Sequence, residues 1–127
     1  MRIEHVAMYV RDLERQRLFF EKYFMCTLSN LYCNYNTGFK SYFLSFEGGA
    51  RLEIMFRPEI KDAAQIPFTV GFSHIAFSVG SKEKVNKITD KLIKDGYKLI
   101  SPPRTTGDGY YESCIQDEEG NWIEITV

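Results

Sequence analysis

Two histidines and two glutamates recur in matching places in two halves of this chain, and they are the residues best suited to chemistry. The first half reads Ile3-Glu4-His5-Val6-Ala7-Met8-Tyr9-Val10 and later Arg51-Leu52-Glu53-Ile54. The second reads Phe72-Ser73-His74-Ile75-Ala76-Phe77-Ser78-Val79 and later Trp122-Ile123-Glu124-Ile125. From His5 to Glu53 is 48 positions and from His74 to Glu124 is 50, and these are the only histidines among 127 residues. Two imidazole nitrogens and two carboxylates make a ligand set for a divalent metal.

The repeat has a period near 69 residues. That is longer than the roughly 20–50 residues of stacked solenoid repeats, so it reads as a duplicated module. Each half begins with an alternating, strand-like segment, at about residues 2–10 and 70–79. A helix is predicted next. The first, from Asp12 to Phe24, carries Leu13, Phe19, Phe20 and Phe24 on an apolar stripe, with Asp12 as N-cap. The second, from Lys82 to Asp95, carries Val85, Ile88, Leu92 and Ile93, with Ser81 as N-cap and Gly96 just past its end.

Three short strands follow in each half. The last two form a hairpin with a glycine-bearing turn, at Glu47-Gly48-Gly49-Ala50 and at Glu118-Glu119-Gly120-Asn121. The acidic run Asp117-Glu118-Glu119 reads as a solvated turn without a role. The plan is βαβββ twice within one domain, with module one at about 1–57, a linker at about 58–69 and module two at about 70–127. The linker contains Pro58 and Pro67, and Ile60-Lys61-Asp62-Ala63-Ala64 suits a short helical turn.

Strand alternation tests the metal idea. His5 shares a face with Ile3, Ala7 and Tyr9, while Val6, Met8 and Val10 take the other. His74 shares a face with Phe72, Ala76 and Ser78, opposite Ile75, Phe77 and Val79. The uniformly apolar faces suit packing on the helices, so the histidines project from the opposite face beside small alanines. Glu53 and Glu124 likewise point away from the Leu52/Ile54 and Ile123/Ile125 sides of their strands. All four candidates fall on one kind of face.

Composition excludes several classes of function. With 16 basic and 17 acidic residues scattered along the chain, no basic run or stripe suggests nucleic acid or a membrane surface. Apolar stretches run only a few residues, against the roughly 20 needed to span a bilayer. The first residues form a strand pattern rather than a signal peptide. Cys26, Cys33 and Cys114 are odd in number and lack CxxC spacing. A cytoplasmic protein without a disulfide framework is expected.

The HxAxxV-type strand followed by a helix in each half, together with the closing Gly120-Asn121-Trp122-Ile123-Glu124-Ile125, resembles the vicinal oxygen chelate superfamily. That superfamily includes glyoxalase I, methylmalonyl-CoA epimerase, fosfomycin-resistance enzymes, extradiol dioxygenases and bleomycin-resistance proteins. The resemblance spans essentially the whole chain. It implies an α+β fold of paired βαβββ modules whose curved, barrel-like mixed sheet surrounds a metal, with the helices outside. Glyoxalase I is the closest pattern, with its ligands at the positions of His5, Glu53, His74 and Glu124 and waters filling the other sites. One divalent ion per site is implied. Nickel, cobalt, manganese, iron or a catalytic zinc all suit such an open site, which is less typical of structural zinc. Short members of the superfamily commonly form homodimers in which the first half of one chain meets the second half of its partner.

A glyoxalase-type reaction on a small-molecule substrate, such as the hemithioacetal of methylglyoxal and a thiol, moves a proton through an enediolate. By position Glu124 is the base and Glu53 chiefly a ligand, with the two able to exchange roles. In glutathione-dependent glyoxalases an arginine often stands at the place of Tyr9 and an asparagine at that of Arg57. Arg57 is here either a contact for a substrate carboxylate or a strand-end arginine in water. The loop Thr105–Tyr111 offers Tyr110 and Tyr111 as ligand contacts, or is a plain connecting turn. Trp122 alternates onto the Glu124 face, where it lines the pocket or a dimer seam. Competing readings are a thioester epimerase, which tends to carry glutamine in place of Glu53, and a fosfomycin-type thiol transferase with three ligands. A metal-free drug-binding protein of the bleomycin-resistance kind is the non-enzyme alternative.

Overall fold

Alternating segments become short strands, and each first strand turns directly into a capped helix. In a computed structural model that describes residues 1–62 and 68–127, the first half contains β1 (His5–Tyr9), α1 (Leu13–Phe24), β2 (Thr27–Leu28), β3 (Tyr32–Asn34), β4 (Phe39–Ser45) and β5 (Arg51–Phe56). The second contains β6 (His74–Ser78), α2 (Lys82–Lys94), β7 (Lys98–Thr105), β8 (Tyr111–Gln116) and β9 (Trp122–Thr126). The halves are two compact units, Met1–Ala63 and Ala64–Val127. Their boundary falls within the expected linker. A turn closes at Arg57–Ile60, where the Ile60 amide donates to the Arg57 carbonyl over 3.3 Å. Ala63 and Ala64 of the predicted helical turn, and Pro67, lie outside the described residues.

The α+β class and the repeated βαβββ plan are as expected. Each unit has its own mixed sheet, ordered β1-β5-β4-β2 in the first and β6-β9-β8-β7 in the second. In each, the first and last strands of the module are parallel neighbours, β1 with β5 and β6 with β9. The remaining pairs are antiparallel. The histidine-bearing strand therefore lies beside the glutamate-bearing one in both sheets.

The first strands begin later than the alternation suggests, at His5 and His74 rather than at residues 2 and 70. Their ladder partners start only at Arg51 and Trp122, so earlier residues have no strand opposite them. The edge strand of the first sheet also comes in two pieces, since β2 and β3 both pair with β4. Between them the Ser29 hydroxyl accepts from the Phe43 amide (3.0 Å), and the Ser29 amide donates to the Phe43 carbonyl (2.9 Å). On the edge of the second sheet, Pro102 and Pro103 lack amide donors, and the β7 register shifts between Leu99 and Arg104.

Both helices start as predicted. Asp12 accepts from the Arg15 amide and Ser81 from the Lys84 amide. Helix α2 ends in a Schellman arrangement, with Tyr97 N–H on the Leu92 carbonyl and Gly96 N–H on that of Ile93. Gly96 adopts φ +94°, which an L-residue avoids. Helix α1 buries Leu13, Phe19, Phe20 and Tyr23 along with Val10, Leu44, Leu52 and Ile54; Phe24 is only half-buried.

In α2 the buried line is Val85, Thr89 and Leu92, not the expected one ending at Ile93, which is exposed. Eight residues past Val85, Ile93 has rotated to the edge of the apolar stripe. The buried Thr89 hydroxyl donates to the Val85 carbonyl and bonds the Ser113 hydroxyl, both at 2.6 Å, so neither hydroxyl is left unpaired.

Candidate functional site

Register puts the four candidate ligands where alternation predicts them. In the first sheet Ala7 pairs with Glu53 and His5 with Arg51. In the second Ala76 pairs with Glu124 and His74 with Trp122. Paired residues of a parallel ladder point to the same side, so each glutamate shares a face with the histidine one pleat away. Each alanine between them leaves that face open. The opposite faces hold the core residues Leu52 and Ile54, or Ile123 and Ile125.

The two pairs differ in detail. His74 Nε2 lies 3.6 Å from Glu124 Oε2, with the imidazole 41% and the carboxylate 17% exposed. That separation exceeds a good hydrogen bond. It suits two donors of one ion, since ligands each about 2 Å from a metal lie within about 4 Å of one another. His5 is equally exposed but is bound at its other nitrogen, with Nδ1 2.5 Å from Glu4 Oε2. Within either unit, among the described residues, no third histidine, cysteine or carboxylate completes a ligand cluster.

The Glu124 carboxyl group departs from ordinary behaviour. Burial raises its pKa, His74 opposes the rise, and the neighbouring Glu112 adds to it by charge and by hydrogen bonding. Glu112 lies two residues from Cys114, the register partner of Glu124, and so points to the same face. It is 15% exposed and 3.6 Å from Arg104, whose Nη1 donates to Ser101 Oγ (2.5 Å). Cys114, beside Glu124 on the neighbouring strand, is no nucleophile: burial pushes its thiol up to about 11.

The raised Glu124 pKa has a testable sign. Folding favours its protonated form, so the stabilisation is present at acid pH and is lost as pH rises from the ordinary value of 4.5 through the folded one. In the metal-free protein Glu124→Gln should therefore be the more stable variant near neutrality, with the advantage shrinking as pH falls through the raised folded value and gone below about 4.5. Thermal melts of both proteins across that range check this. An advantage independent of pH would contradict it.

Of the predicted substrate contacts, Tyr9 and Arg57 come together. With Glu59, Ile60 and Lys61 they line an open cavity of about 440 Å³ at one end of the first sheet. Tyr9 extends from the His5 face, and the Arg57 guanidinium lies 5.6 Å from the Phe39 ring centre. Trp122 stands in register with His74 on the Glu124 face and is half-buried. Tyr110 is exposed in the loop, its amide donating to Thr106 Oγ1 over 3.1 Å. Tyr111 is not brought to this face: its hydroxyl donates to Asn86 on α2 over 2.8 Å, on the helix side. Its strand parity with Ser113 and Ile115 explains why.

Three residues near the candidate ligands escape a motif search, Glu4, Arg51 and Glu112, as does Lys61 beside Tyr9 and Arg57. Glu112 was legible through alternation once β8 and β9 are taken as a hairpin. Asp117, expected as a solvated turn residue, is 5% exposed and sets that hairpin. Its Oδ1 accepts from the amides of Glu119 (3.0 Å) and Asn121 (2.7 Å), and its Oδ2 from Asn121 Nδ2 (3.0 Å). That short turn fixes the register that carries Glu124.

The family model described as the Glyoxalase/Bleomycin resistance protein/Dioxygenase superfamily matches residues 2–125. An uncharacterized protein of Bacillus subtilis (strain 168), YqjT, is 29% identical over 136 aligned positions, covering 98% of each chain. Among solved structures, a possible glyoxalase from Bacillus cereus is 28% identical with a TM-score of 0.71, covering all of this chain and 99% of that one. Glyoxalase I from Zea mays has a TM-score of 0.80 at 20% identity; 98% of this chain aligns, spanning only 44% of the maize protein. At that identity the likeness is one of fold. The chain belongs to the glyoxalase/bleomycin resistance protein/dioxygenase superfamily.

Proposed function

We propose that this protein is a metal-dependent lyase or isomerase of the glyoxalase I kind, acting on a small oxygenated substrate such as the hemithioacetal of methylglyoxal and a thiol. The observation that carries the reading is the repeated register: in both sheets a histidine sits one pleat from an alanine whose ladder partner is a glutamate. His5, Glu53, His74 and Glu124 would supply the protein ligands of one divalent ion, of nickel, cobalt, manganese, iron or zinc. Such an ion, when bound, supplies Lewis-acid stabilisation of negative charge on two adjacent substrate oxygens.

The chain's own residues then account for the proton transfer. Glu124, whose raised pKa makes it a stronger base than an ordinary carboxylate, takes the proton from the carbon bearing sulfur. The electron pair left behind forms the new carbon–carbon double bond as charge moves onto the neighbouring oxygen. Returning the proton to the adjacent carbon, while the hydroxyl proton on the sulfur-bearing carbon passes to the neighbouring oxygen, gives a 2-hydroxy thioester with no net oxidation. Glu53 is chiefly a ligand in this scheme. Arg57 and Lys61 offer positive charge beside Tyr9, which suits a carboxylate on the thiol portion of the substrate. Trp122 and Tyr110 are the remaining proposed contacts.

We place the reaction in the cytoplasm, in a homodimer. Three free cysteines fit a reducing compartment, and no described helix is long and apolar enough to cross a membrane. The test is direct: metal-loaded protein is mixed with methylglyoxal and glutathione, or another low-molecular-weight thiol, and thioester absorbance is followed. Turnover that disappears with chelator and returns with added ion is the expected result. A metal-bound protein inert towards every thiol adduct would overturn the glyoxalase reaction.

A further inference from the structure

Among the described residues, only one of the two candidate histidines is gripped from behind. His5 Nδ1 is 2.5 Å from a carboxylate oxygen of Glu4. The other Glu4 oxygen accepts from Arg51, over 2.9 Å from Nε and also from Nη2. The Arg51 amide donates to the Glu4 carbonyl at 3.0 Å, so backbone and side chain fasten the same two residues together. The Arg51 guanidinium carbon sits 4.1 Å from the centre of the Phe43 ring. That ring meets the His5 imidazole edge-on at 5.4 Å and 89°. The imidazole is thus held by a carboxylate at one nitrogen and by an aromatic wall. In the second half the corresponding positions are Ser73 and Trp122, neither of them charged.

We propose that Glu4, itself held by Arg51, is a positioning residue that keeps the His5 ring with its proton on Nδ1, leaving Nε2 bare to bind the metal. The proposal rests on the metal-binding reading above. An ionised carboxylate has no proton to give, so the hydrogen in the Glu4–His5 bond belongs to the imidazole. With Nδ1 as donor, the lone pair of the neutral ring lies on Nε2. In the other half it is Nε2 of His74 that lies near a carboxylate, at 3.6 Å from Glu124. The nitrogen that the Glu4 contact leaves bare on His5 is the same one. A carboxylate behind a ligating histidine orients the ring and raises its basicity, and its loss typically weakens metal binding about 10–100-fold.

The test uses long-range proton–nitrogen NMR of the imidazoles in metal-free protein at about pH 8, where histidine is mostly neutral, together with nickel and cobalt affinities. Wild-type His5 should be in the Nδ1–H form. Glu4→Ala should move it towards the Nε2–H form and weaken binding about 10–100-fold. Glu4→Gln, whose amide oxygen still accepts from Nδ1–H, should keep the wild-type tautomer and recover most of the affinity. The signals of His74 should not move in either variant. Arg51→Met gives a second probe that leaves Glu4 in place, with an intermediate loss expected. A Glu4→Ala protein with unchanged tautomer and affinity would overturn the proposal alone. A wild-type protein that takes up neither ion would overturn the metal reading, and this role of Glu4 with it.

Discussion

Replacing His74 with alanine is expected to lower affinity for a divalent ion by at least about a hundredfold, beyond the range typical of a supporting residue behind a ligand. The replacement removes one of two nitrogen donors and leaves Glu124, 17% exposed, without the imidazole that now opposes its protonation. Both effects act against a bound cation. Turnover should fall with occupancy, and excess ion should restore only part of it. Equilibrium dialysis or calorimetry with nickel and cobalt measures the affinity, and a thermal melt establishes that the variant is folded. His74 is 41% exposed and outside the core, so little stability should be lost. Wild-type affinity in this variant would remove His74 from the ligand set.

The second large effect is expected at Glu124→Gln. If Glu124 is the base, its amide replacement should lower kcat by roughly 10²–10⁴-fold even at saturating metal. A glutamine oxygen can still coordinate but cannot accept the proton in flight. Measuring kcat at saturating ion separates loss of the base from loss of the ligand, because the latter alone is corrected by added metal. Glu53→Gln, measured in the same way, should cost much less in kcat. Equal losses at the two positions would show that the carboxylates share the work, and a large loss at Glu53 alone would reverse their roles.

Much of this arrangement was legible from residue pattern. Period-two alternation around His5 and His74 put both rings on the less buried face, because Val6, Met8, Ile75 and Phe77 had to meet the helices. The caps at Asp12 and Ser81 were readable because a short oxygen-bearing side chain before an apolar stripe has few other uses. Alternation cannot supply the pairing of strands. The register of Ala7 with Glu53 and Ala76 with Glu124 comes from three-dimensional ladders. It converts four residues of similar facing into two matched pairs.

The misses have physical causes too. Ile93 was placed on the apolar stripe by helical spacing, whereas rotation along α2 leaves it at the edge and buries Thr89, whose hydroxyl is satisfied by Val85 and Ser113. Asp117 looked solvated because carboxylates usually are; three donors from its own turn bury it instead. Tyr111 was grouped with Tyr110 by composition, but adjacent strand residues face opposite ways. Glu4 passed unnoticed because neighbours in a strand seldom meet. It reaches the ring of His5 from just before the strand begins, where Arg51 fixes it from across the ladder.

The most direct test of the central claim is the metal content of the wild-type protein. Elemental analysis after purification without chelators, followed by stripping and titration with nickel, cobalt, manganese and zinc, should find one tight divalent site for each set of His5, Glu53, His74 and Glu124. That is one ion per chain, whether the set is completed within a chain or between two chains of a dimer. A protein that is isolated without metal and takes up none of these ions would contradict the account and leave a metal-free binding module of the same superfamily.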